Sequence, residues 1–373
     1  MKKRVLLIAL IAVLCVSGVL VFLRPAPDPG GAPVTISTGI YHSAVIKADG
    51  SLWTWGENGY GQLGDGTTAD KHSPTKIMDG IASVSIKGHC SLAIGTDGSL
   101  WAWGLNHYGQ LGVEKPEAIY APTKILDSVA AVSAGGTHTM AVKTDGILWA
   151  WGWNDAGQLG DMTTTDRSSP VKVMDGVTAV SAGGSSTMAI KKDGSLWGWG
   201  WNYNGQIGDG TTTDRLEPVK ILNGVTAIST GFFHTIAILK DGSLWAWGSN
   251  ERGQLGDGTT ADRHTPVKVM ENVASVSSGG YSSMAIKTDG SLWAWGANPN
   301  GVLGVEGMED IVAPIKIMDD VAAVSLNWYH ALAIKADGSL WAWGRNDFGQ
   351  IGDGTAAKSW EDARPDPIKV LDE

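Results

Sequence analysis

The tetrapeptide Trp-x-Trp-Gly recurs every 48 residues, and this spacing limits what the 373-residue chain can fold into. A fixed period of this length indicates one supersecondary unit that is copied and stacked, because a single unit cannot bury its own apolar face. The pairs hold fourteen of the eighteen Trp residues, so we interpret most of the Trp as core residues. The seven copies begin at Trp53, Trp101, Trp149, Trp197, Trp245, Trp293 and Trp341.

Each unit has the pattern of four short strands. In one copy, residues 177–181 alternate apolar and small residues, as a half-buried strand does, and residues 187–190 form a second strand that ends at an Asp-Gly hairpin turn, 193–194. Residues 195–200 carry both Trp on one face of a third strand. A long Gly/Asn/Thr loop leads to an outer strand at 218–221, whose initial Pro suits an edge strand. Four short strands in each of seven repeated units predict an all-β fold, a seven-bladed β-propeller.

The ends of the array distinguish a closed ring from an open solenoid. The array starts at Val34, inside an inner strand, and its last strand is the outer strand 367–370. An open solenoid would leave both end strands unpaired. We therefore expect the last strand to complete the first blade, so that the propeller over residues 34–373 closes through its C-terminal strand.

The N-terminal segment, residues 1–24, differs from the array. Lys2, Lys3 and Arg4 precede nineteen uncharged, mostly apolar residues at 5–23, and a Pro/Gly-rich tether follows at 25–33. As a helix, nineteen residues at about 1.5 Å each nearly span a hydrocarbon core of about 30 Å. The basic residues should stay cytoplasmic. Two interpretations remain open, an uncleaved signal anchor and a cleaved signal peptide; both predict an extracytoplasmic array, either anchored by residues 5–23 or secreted.

The charge and cysteine content argue against some classes of binding partner and against a disulfide framework. The formal net charge of −10 argues against nucleic acid, and against an anionic membrane surface apart from the N-terminal segment. The array contains a single cysteine, Cys90, so no intrachain disulfide framework is available to it. Cys90 occupies a repeat position filled elsewhere by His or Ser, and we interpret it as a small buried residue.

The repeats resemble those of the regulator of chromosome condensation family. The resemblance rests on Gly-x-x-His-(Thr/Ser)-x-Ala-(Ile/Val), as at residues 135–142, and on Asp-Gly-x-Leu-Trp-Ala-Trp-Gly-x-Asn followed by Gly-Gln-(Leu/Ile)-Gly. It covers nearly the whole chain after residue 33 and implies a seven-bladed propeller.

Members of this family differ in function, so the resemblance does not choose one. They include a nuclear nucleotide exchanger, a plant ultraviolet photoreceptor and a secreted β-lactamase inhibitor. The photoreceptor's Trp-Arg-His-Thr pattern is approached only at 328–330, Trp-Tyr-His, which lacks the Arg. The export segment makes the secreted inhibitor the nearest in setting, which suggests a protein-binding face.

The two residues between Gly and His mark a candidate binding surface. Strand order places these loops and the Asn-containing loops on one face of the ring, and the Asp-Gly turns on the other. In copies two to four the two positions hold no large aromatic ring, whereas the other copies carry aromatics there. Copy seven adjoins copy one in a ring, so these aromatics form a continuous arc of the type that anchors interfaces. The alternative is that they plug the channel or pack between blades. We call the following six residues the aromatic arc: Tyr41, Phe232, Phe233, Tyr281, Trp328 and Tyr329.

No motif for catalysis, metal binding or a cofactor stands out. Four His residues occupy the same position of the repeat, and blade symmetry spreads them around the ring. We therefore expect them to order loops rather than to bind metal. The Asp-Gly-Thr stretches at 65–70, 209–214 and 257–262 lack the ligand pattern of an EF-hand, and we interpret them as turn caps. The four His are His42, His138, His234 and His330.

These observations predict an exported, non-catalytic binding module that presents an aromatic propeller face to an extracytoplasmic protein. Two other functions remain open. The same aromatics could bind a cell-surface glycan, or the protein could be an exported hydrolase or lyase that uses loop carboxylates such as Asp155, Glu251 and Asp347.

Overall fold

The computed structural model describes residues 13–16, 19–22, 33–359 and 362–371. From residue 33 onward the strands form seven four-stranded antiparallel sheets, which are the blades of a β-propeller. The all-β, seven-bladed prediction is confirmed. We number the blades in chain order and name the strands of each blade inner, second, third and outer.

The inner strands line the central channel. They are Pro33–Thr38, Ile81–Lys87, Val129–Ala134, Val177–Ala182, Val225–Thr230, Val273–Ser278 and Val321–Leu326. The second strands are His42–Lys47, Cys90–Gly95, His138–Lys143, Ser186–Lys191, His234–Leu239, Ser282–Lys287 and His330–Lys335.

The third strands carry the Trp pairs. They are Leu52–Gly56, Leu100–Leu105, Leu148–Gly152, Leu196–Gly200, Leu244–Gly248, Leu292–Gly296 and Leu340–Gly344. The outer strands are Lys71–Met78, Ala118–Leu126, Arg167–Met174, Arg215–Leu222, Arg263–Met270, Ile311–Met318 and Arg364–Leu371. A 3₁₀ turn, Pro299–Gly301, lies in the long loop of blade 6.

The outer strands are longer than the sequence predicts. In blade 4 the strand begins at Arg215, so Pro218 lies inside it rather than at its start. The ladder is irregular there, with a register shift between the Gly198–Val219 and Gly200–Arg215 pairs. An edge strand accommodates Pro in this way because its outward side needs no ladder donor.

The second Trp of each pair packs between neighbouring blades, as its period predicts. Trp103 is fully buried in a cluster that joins blades 1 and 2. Its Nε1 donates to the carbonyl oxygen of Gln62 in the preceding blade (2.9 Å), and the Ser91 hydroxyl donates to the same oxygen (2.7 Å). Ser91 Oγ also lies 3.1 Å from Nε2 of His42. Burial and these bonds join blades 1 and 2 through a polar connection inside an apolar core, and the indole-to-carbonyl bond recurs at the other junctions except that of Trp247.

The last strand does not complete the first blade, so the predicted mode of closure is wrong. The outer strand Arg364–Leu371 pairs with Leu340–Gly344 in blade 7, and blade 1 contains its own four strands. An array that begins with an inner strand and ends with an outer one consists of seven whole blades, so no strand is left to exchange. The ring closes through side chains instead. Trp55 of blade 1 is buried among residues of blade 7, and its Nε1 donates to the Gln350 carbonyl (2.9 Å).

The predicted signal anchor or signal peptide, residues 1–24, falls mostly outside the described residues, as does the tether at 25–33. Within it, Val13–Val16 and Val19–Phe22 pair as a two-stranded antiparallel hairpin. Among the described residues, no helix has the length and apolar character needed to cross a bilayer. The membrane role of residues 5–23 stays a prediction.

Candidate functional site

The Gly-x-x-His motif shapes the loops that carry the aromatic arc. At Gly135 an added Cβ would lie 2.5 Å from the imidazole of His138, so the absence of a side chain leaves room for the ring. The His138 ring is buried, and its Nε2 lies 2.9 Å from Oγ1 of Thr187 in the next blade. We expected the His to hydrogen-bond within its own loop, whereas its Nε2 partner belongs to the neighbouring blade. The two residues between Gly and His are thereby held at the loop tip.

The Gly-x-x-His loops and the long loops after the Trp pairs share one face, as strand order predicts. The backbone N–H of Glu57 donates to the Tyr41 carbonyl (2.9 Å), and that of Arg345 donates to the Tyr329 carbonyl (2.8 Å). These bonds tie the start of each long loop to the loop that carries an arc residue. The face is therefore built from paired loops on a rigid sheet framework.

The six residues of the aromatic arc are half-buried and form one contacting group. Trp328 is central, with its ring centroid 4.7 Å from that of Phe232 and 5.5 Å from that of Tyr281. Tyr41 and Tyr329 stack across the junction of blades 7 and 1, with centroids 5.4 Å apart and planes 5° from parallel. Edge-to-face and offset stacked pairs of this kind add to the stability of the packed group. The structure thus joins every arc residue named from the sequence.

The group extends beyond the arc on both sides. Trp201 contacts Phe233 at 5.8 Å, and exposed Tyr203 lies beyond it, 6.4 Å from Trp201. At the other end Phe348 lies 5.1 Å from Tyr41. By contrast, Trp153 and Tyr108 pack on each other, 5.5 Å apart, in blades 2 and 3.

Two cations lie against the arc, and sequence reasoning identified neither. The guanidinium of Arg345 lies 5.0 Å from the Tyr41 centroid and 5.1 Å from that of Tyr329, and its Nε donates to Asp347 (2.7 Å). Burial raises the pKa of the Tyr41 phenol, and neighbouring Tyr329 adds to the shift.

The second cation, Lys87, comes from blade 2 and reaches the opposite side of the channel mouth. Its Nζ donates to the carbonyls of Ala182 (2.9 Å) and Thr230 (2.7 Å) in blades 4 and 5, and it lies 5.6 Å from the Phe232 centroid. Burial lowers the pKa of Lys87 to about 7. Lys87 stands where five other copies have the first Gly of Gly-x-x-His, so a comparison of copies could have identified it.

The long loops give this face an acidic rim. Together the seven loops carry twenty Asp and Glu against four Lys and Arg. Burial raises the pKa of the Asp155 carboxyl, and the negative charge of Asp166 adds to the shift. Burial also raises the pKa of the Tyr281 phenol, with a further contribution from the charge of Glu251. The loops are 57–70, 106–117, 153–166, 201–214, 249–262, 297–310 and 345–363.

The Asp-Gly-Thr stretches cap turns, as predicted. Asp65 Oδ1 accepts the backbone N–H of Thr67 (3.0 Å), its hydroxyl (2.8 Å) and Nδ2 of Asn58 (3.0 Å). Its other oxygen lies 3.2 Å from Nζ of Lys71. In the part of the chain that the structure describes, no three His, Cys, Asp or Glu side chains gather into a group that could hold a metal.

A second depression lies at the outer edge between blades 1 and 2. It is an open groove lined by Val113, Pro116 and Ile119 together with the exposed rings of Tyr60 and Tyr120. No repeat motif marks this groove, because the blade 2 loop that forms much of its lining has Val113-Glu114-Lys115 where Asp-Gly-Thr stands in blade 1.

The chain matches models of two related protein families, one of a whole domain and one of a single repeat. The RCC1-like domain matches residues 127–373. The regulator of chromosome condensation (RCC1) repeat matches 49–94 and 97–142, and a second model of the same repeat matches 34–62 and 81–110.

Solved structures share the fold at low sequence identity. Human WBSCR16 is 21% identical, with 86% of this chain and 94% of that chain covered and a TM-score of 0.77. Prp20p from Saccharomyces cerevisiae, described together with its binding to Gsp1p and histones, is 21% identical over 86% of both chains, with a TM-score of 0.76. The CRINKLY WD40 ectodomain of the Arabidopsis thaliana receptor kinase ACR4 is 17% identical, covering 84% of this chain and 96% of its own, with a TM-score of 0.52.

Proposed function

Because the chain belongs to the RCC1-like family of seven-bladed β-propellers, we propose that it is a non-catalytic binding module whose aromatic arc docks a partner protein. The observation that carries this proposal is the continuous, half-buried aromatic surface, centred on Trp328, that crosses blades 5, 6, 7 and 1 on a single face. Aromatic residues and Arg are enriched at interfaces, where a few central side chains supply most of the binding energy.

The rigidity of the face supports the proposal. The arc residues sit on loops that are pinned by hydrogen bonds to neighbouring loops and blades, such as that from Arg345 N–H to the Tyr329 carbonyl. A surface that is ordered before association loses little conformational freedom on binding. A partner therefore meets a preformed site.

The positions of the loop carboxylates also favour binding over catalysis. Asp155, Glu251 and Asp347 lie on the long loops of blades 3, 5 and 7, which are not adjacent in the ring. Acid–base catalysis by two carboxylates needs both groups around one reacting bond. Asp347 is also engaged by Arg345.

The site of action belongs to the same proposal. We propose that the propeller works outside the cytoplasm, because three basic residues and nineteen uncharged residues precede it. Cell fractionation with protease accessibility of intact cells tests this part: protection of the propeller from added protease until the cells are lysed would contradict it.

A comparative capture tests the binding role. The full-length chain and its Trp328→Ala/Tyr281→Ala variant are immobilised and exposed to extracytoplasmic proteins and to wall glycans. Circular dichroism and thermal unfolding first confirm that both are folded. Tyr120→Ala, an aromatic change on the outer strand of blade 2 outside the arc, is the matched control.

A protein held by the unmodified chain and by Tyr120→Ala, but lost from the arc variant, is the expected result. Equal retention by the unmodified chain and the arc variant would contradict the proposal. Loss on Tyr120→Ala alone would move the site to the groove between blades 1 and 2. Retention of a polysaccharide in place of a protein would assign the arc to glycan binding.

A further inference from the structure

We propose that the partner presents arginine or lysine side chains to this face, so that the aromatic arc and its acidic rim together recognise a cationic segment of a protein. This inference rests on the proposed function and deepens it by giving the partner's chemistry. It follows from three observations: the cations already held by the arc, the charge of the surrounding loops, and the difference between the two faces.

The arc already accepts cations of this chain. Arg345 lies over Tyr41 and Tyr329, and Lys87 lies over Phe232. The face of an aromatic ring attracts a cation through its quadrupole, and the attraction grows when water is excluded. Rings that are half-buried and electron-rich, as these are, suit a further guanidinium or ammonium group from outside.

The rim of the face supplies negative charge in excess. Nineteen of its acidic residues lie among the residues that the structure describes, and five of these are each paired with a basic residue of the following outer strand, for example Asp209 with Arg215 and Asp257 with Arg263. Asp310 and Asp347 are paired with Arg252 and Arg345 within the rim. Within the described part of the chain Glu251 forms no ion pair, and its negative charge contributes to the raised pKa of the Tyr281 phenol in the arc. An acidic segment brought to this face would meet repulsion, whereas a basic one would be attracted.

The opposite face does not share this imbalance. There the outer strands end in Lys–Asp pairs, such as Lys76 with Asp79 (2.8 Å) and Lys172 with Asp175 (2.8 Å). Charge on that face is balanced locally. The attraction for a cationic segment is therefore confined to the side that carries the aromatic arc, which is the arrangement that steers a partner into one orientation.

Three synthetic peptides test the chemistry directly. They share one Gly/Ser/Tyr framework with interspersed arginines, which are kept in the first, changed to citrulline in the second and changed to glutamate in the third. Citrulline keeps the shape of arginine and removes its charge. Each is labelled with fluorescein, and binding to the full-length chain is measured by fluorescence polarisation at about 50 mM and about 300 mM salt, on either side of the range where surface charges become screened.

We expect the arginine peptide to bind at low salt, the citrulline peptide to bind at least about tenfold more weakly, and the glutamate peptide weakest of all. High salt should weaken the arginine peptide several-fold. Trp328→Ala and Glu251→Gln should each weaken it, whereas Asp79→Asn, a matched carboxylate change on the opposite face, should not.

Absence of binding by the arginine peptide at low salt would overturn the inference. So would equal binding of the citrulline peptide, or binding unaffected by Glu251→Gln and by salt. These results leave the proposed function standing, because its own test is capture of a protein that depends on the arc. A captured partner that binds through the arc without any dependence on salt or charge would reject this inference alone.

Discussion

The imidazole Nε2 of His330 lies 2.9 Å from the hydroxyl Oγ of Ser43, and this contact joins the last blade to the first. Ser43 donates its own hydroxyl proton to the Gln350 carbonyl (2.8 Å), so it accepts from His330, and the ring nitrogen that faces Ser43 carries a hydrogen. The same relay occurs at ordinary junctions, as from His138 to Thr187. The ring is thus closed by the same contact that joins blades within the chain.

Removing the closing imidazole should loosen the whole propeller. We expect His330→Ala to lower the free energy of unfolding by about 2–4 kcal/mol, because it leaves a cavity and a buried hydroxyl without its donor. Equilibrium unfolding in urea measures the change. His138→Ala, the equivalent change at an internal junction, is the control and should cost a similar amount. A change below about 0.5 kcal/mol for His330→Ala would show that the junction does not depend on this contact.

Acid should destabilise the fold in a range set by these histidines. Burial lowers the pKa of His138, His234 and His330 to about 3. Below about pH 6.5 these three imidazoles bind protons in the unfolded chain, whereas in the folded chain they stay neutral until the pH approaches 3. The free energy of unfolding therefore falls as pH drops from about 6.5 towards 3. Each histidine contributes a slope of up to about 1.4 kcal/mol per pH unit.

Urea unfolding between pH 7 and pH 5 measures this slope, since most carboxylates remain ionised there. His138→Gln removes one titrating group and should give a shallower dependence, even if it lowers stability at pH 7. An unchanged slope in this variant would contradict the assignment.

Two equally buried Trp residues should differ in their tolerance of Phe. Trp103 donates to the Gln62 carbonyl, whereas Nε1 of Trp247 is buried and has no hydrogen-bond partner among the described residues. Both side chains are fully buried at equivalent positions, so the packing loss should be alike. We expect Trp103→Phe to cost about 1 kcal/mol more than Trp247→Phe in thermal or urea unfolding. An equal cost would mean that the indole hydrogen bond contributes nothing.

The first Gly of the Gly-x-x-His motif should not tolerate Ala. A methyl group at Gly135 would overlap the His138 ring, whereas the same group at Gly59 meets no atom within 4 Å. We expect Gly135→Ala to lower the free energy of unfolding by about 1–3 kcal/mol through overpacking, and Gly59→Ala to stay within about 0.5 kcal/mol of the unmodified chain. A tolerated Gly135→Ala change would show that the His138 ring can move aside.

Much of the architecture could be read from local patterns. The 48-residue period, the alternation in the inner strands and the Asp-Gly turns specify seven similar hairpin-based sheets, because turn and strand preferences act within a few residues. The side of the ring on which the arc lies could be predicted from strand direction alone. The six arc residues could be selected because the other copies provide a background against which large aromatic rings stand out.

A comparison of copies marks Lys87 as unusual, but it does not predict that Lys87 and Arg345 reach the aromatic arc. Lys87 contacts Thr230, which is 143 positions away, and no local pattern relates the two. Arg345 lies over Tyr41 because the ring brings blade 7 beside blade 1. Both contacts depend on how blades are placed around a common axis, and a repeat period does not state which side chains cross from one blade to another.

By itself, the sequence determined the unit, its number, the strand order and the core role of the Trp pairs, because each of these depends on residues close together in the chain. Only the tertiary structure decided how the ring closes, which loops meet and which charges reach the aromatic arc. The contact between Ser43 and His330 shows the reason: 287 positions separate the two residues, and they meet only when all seven blades have packed. The predicted completion of blade 1 by the last strand is wrong, because that strand pairs with Leu340–Gly344 in its own blade.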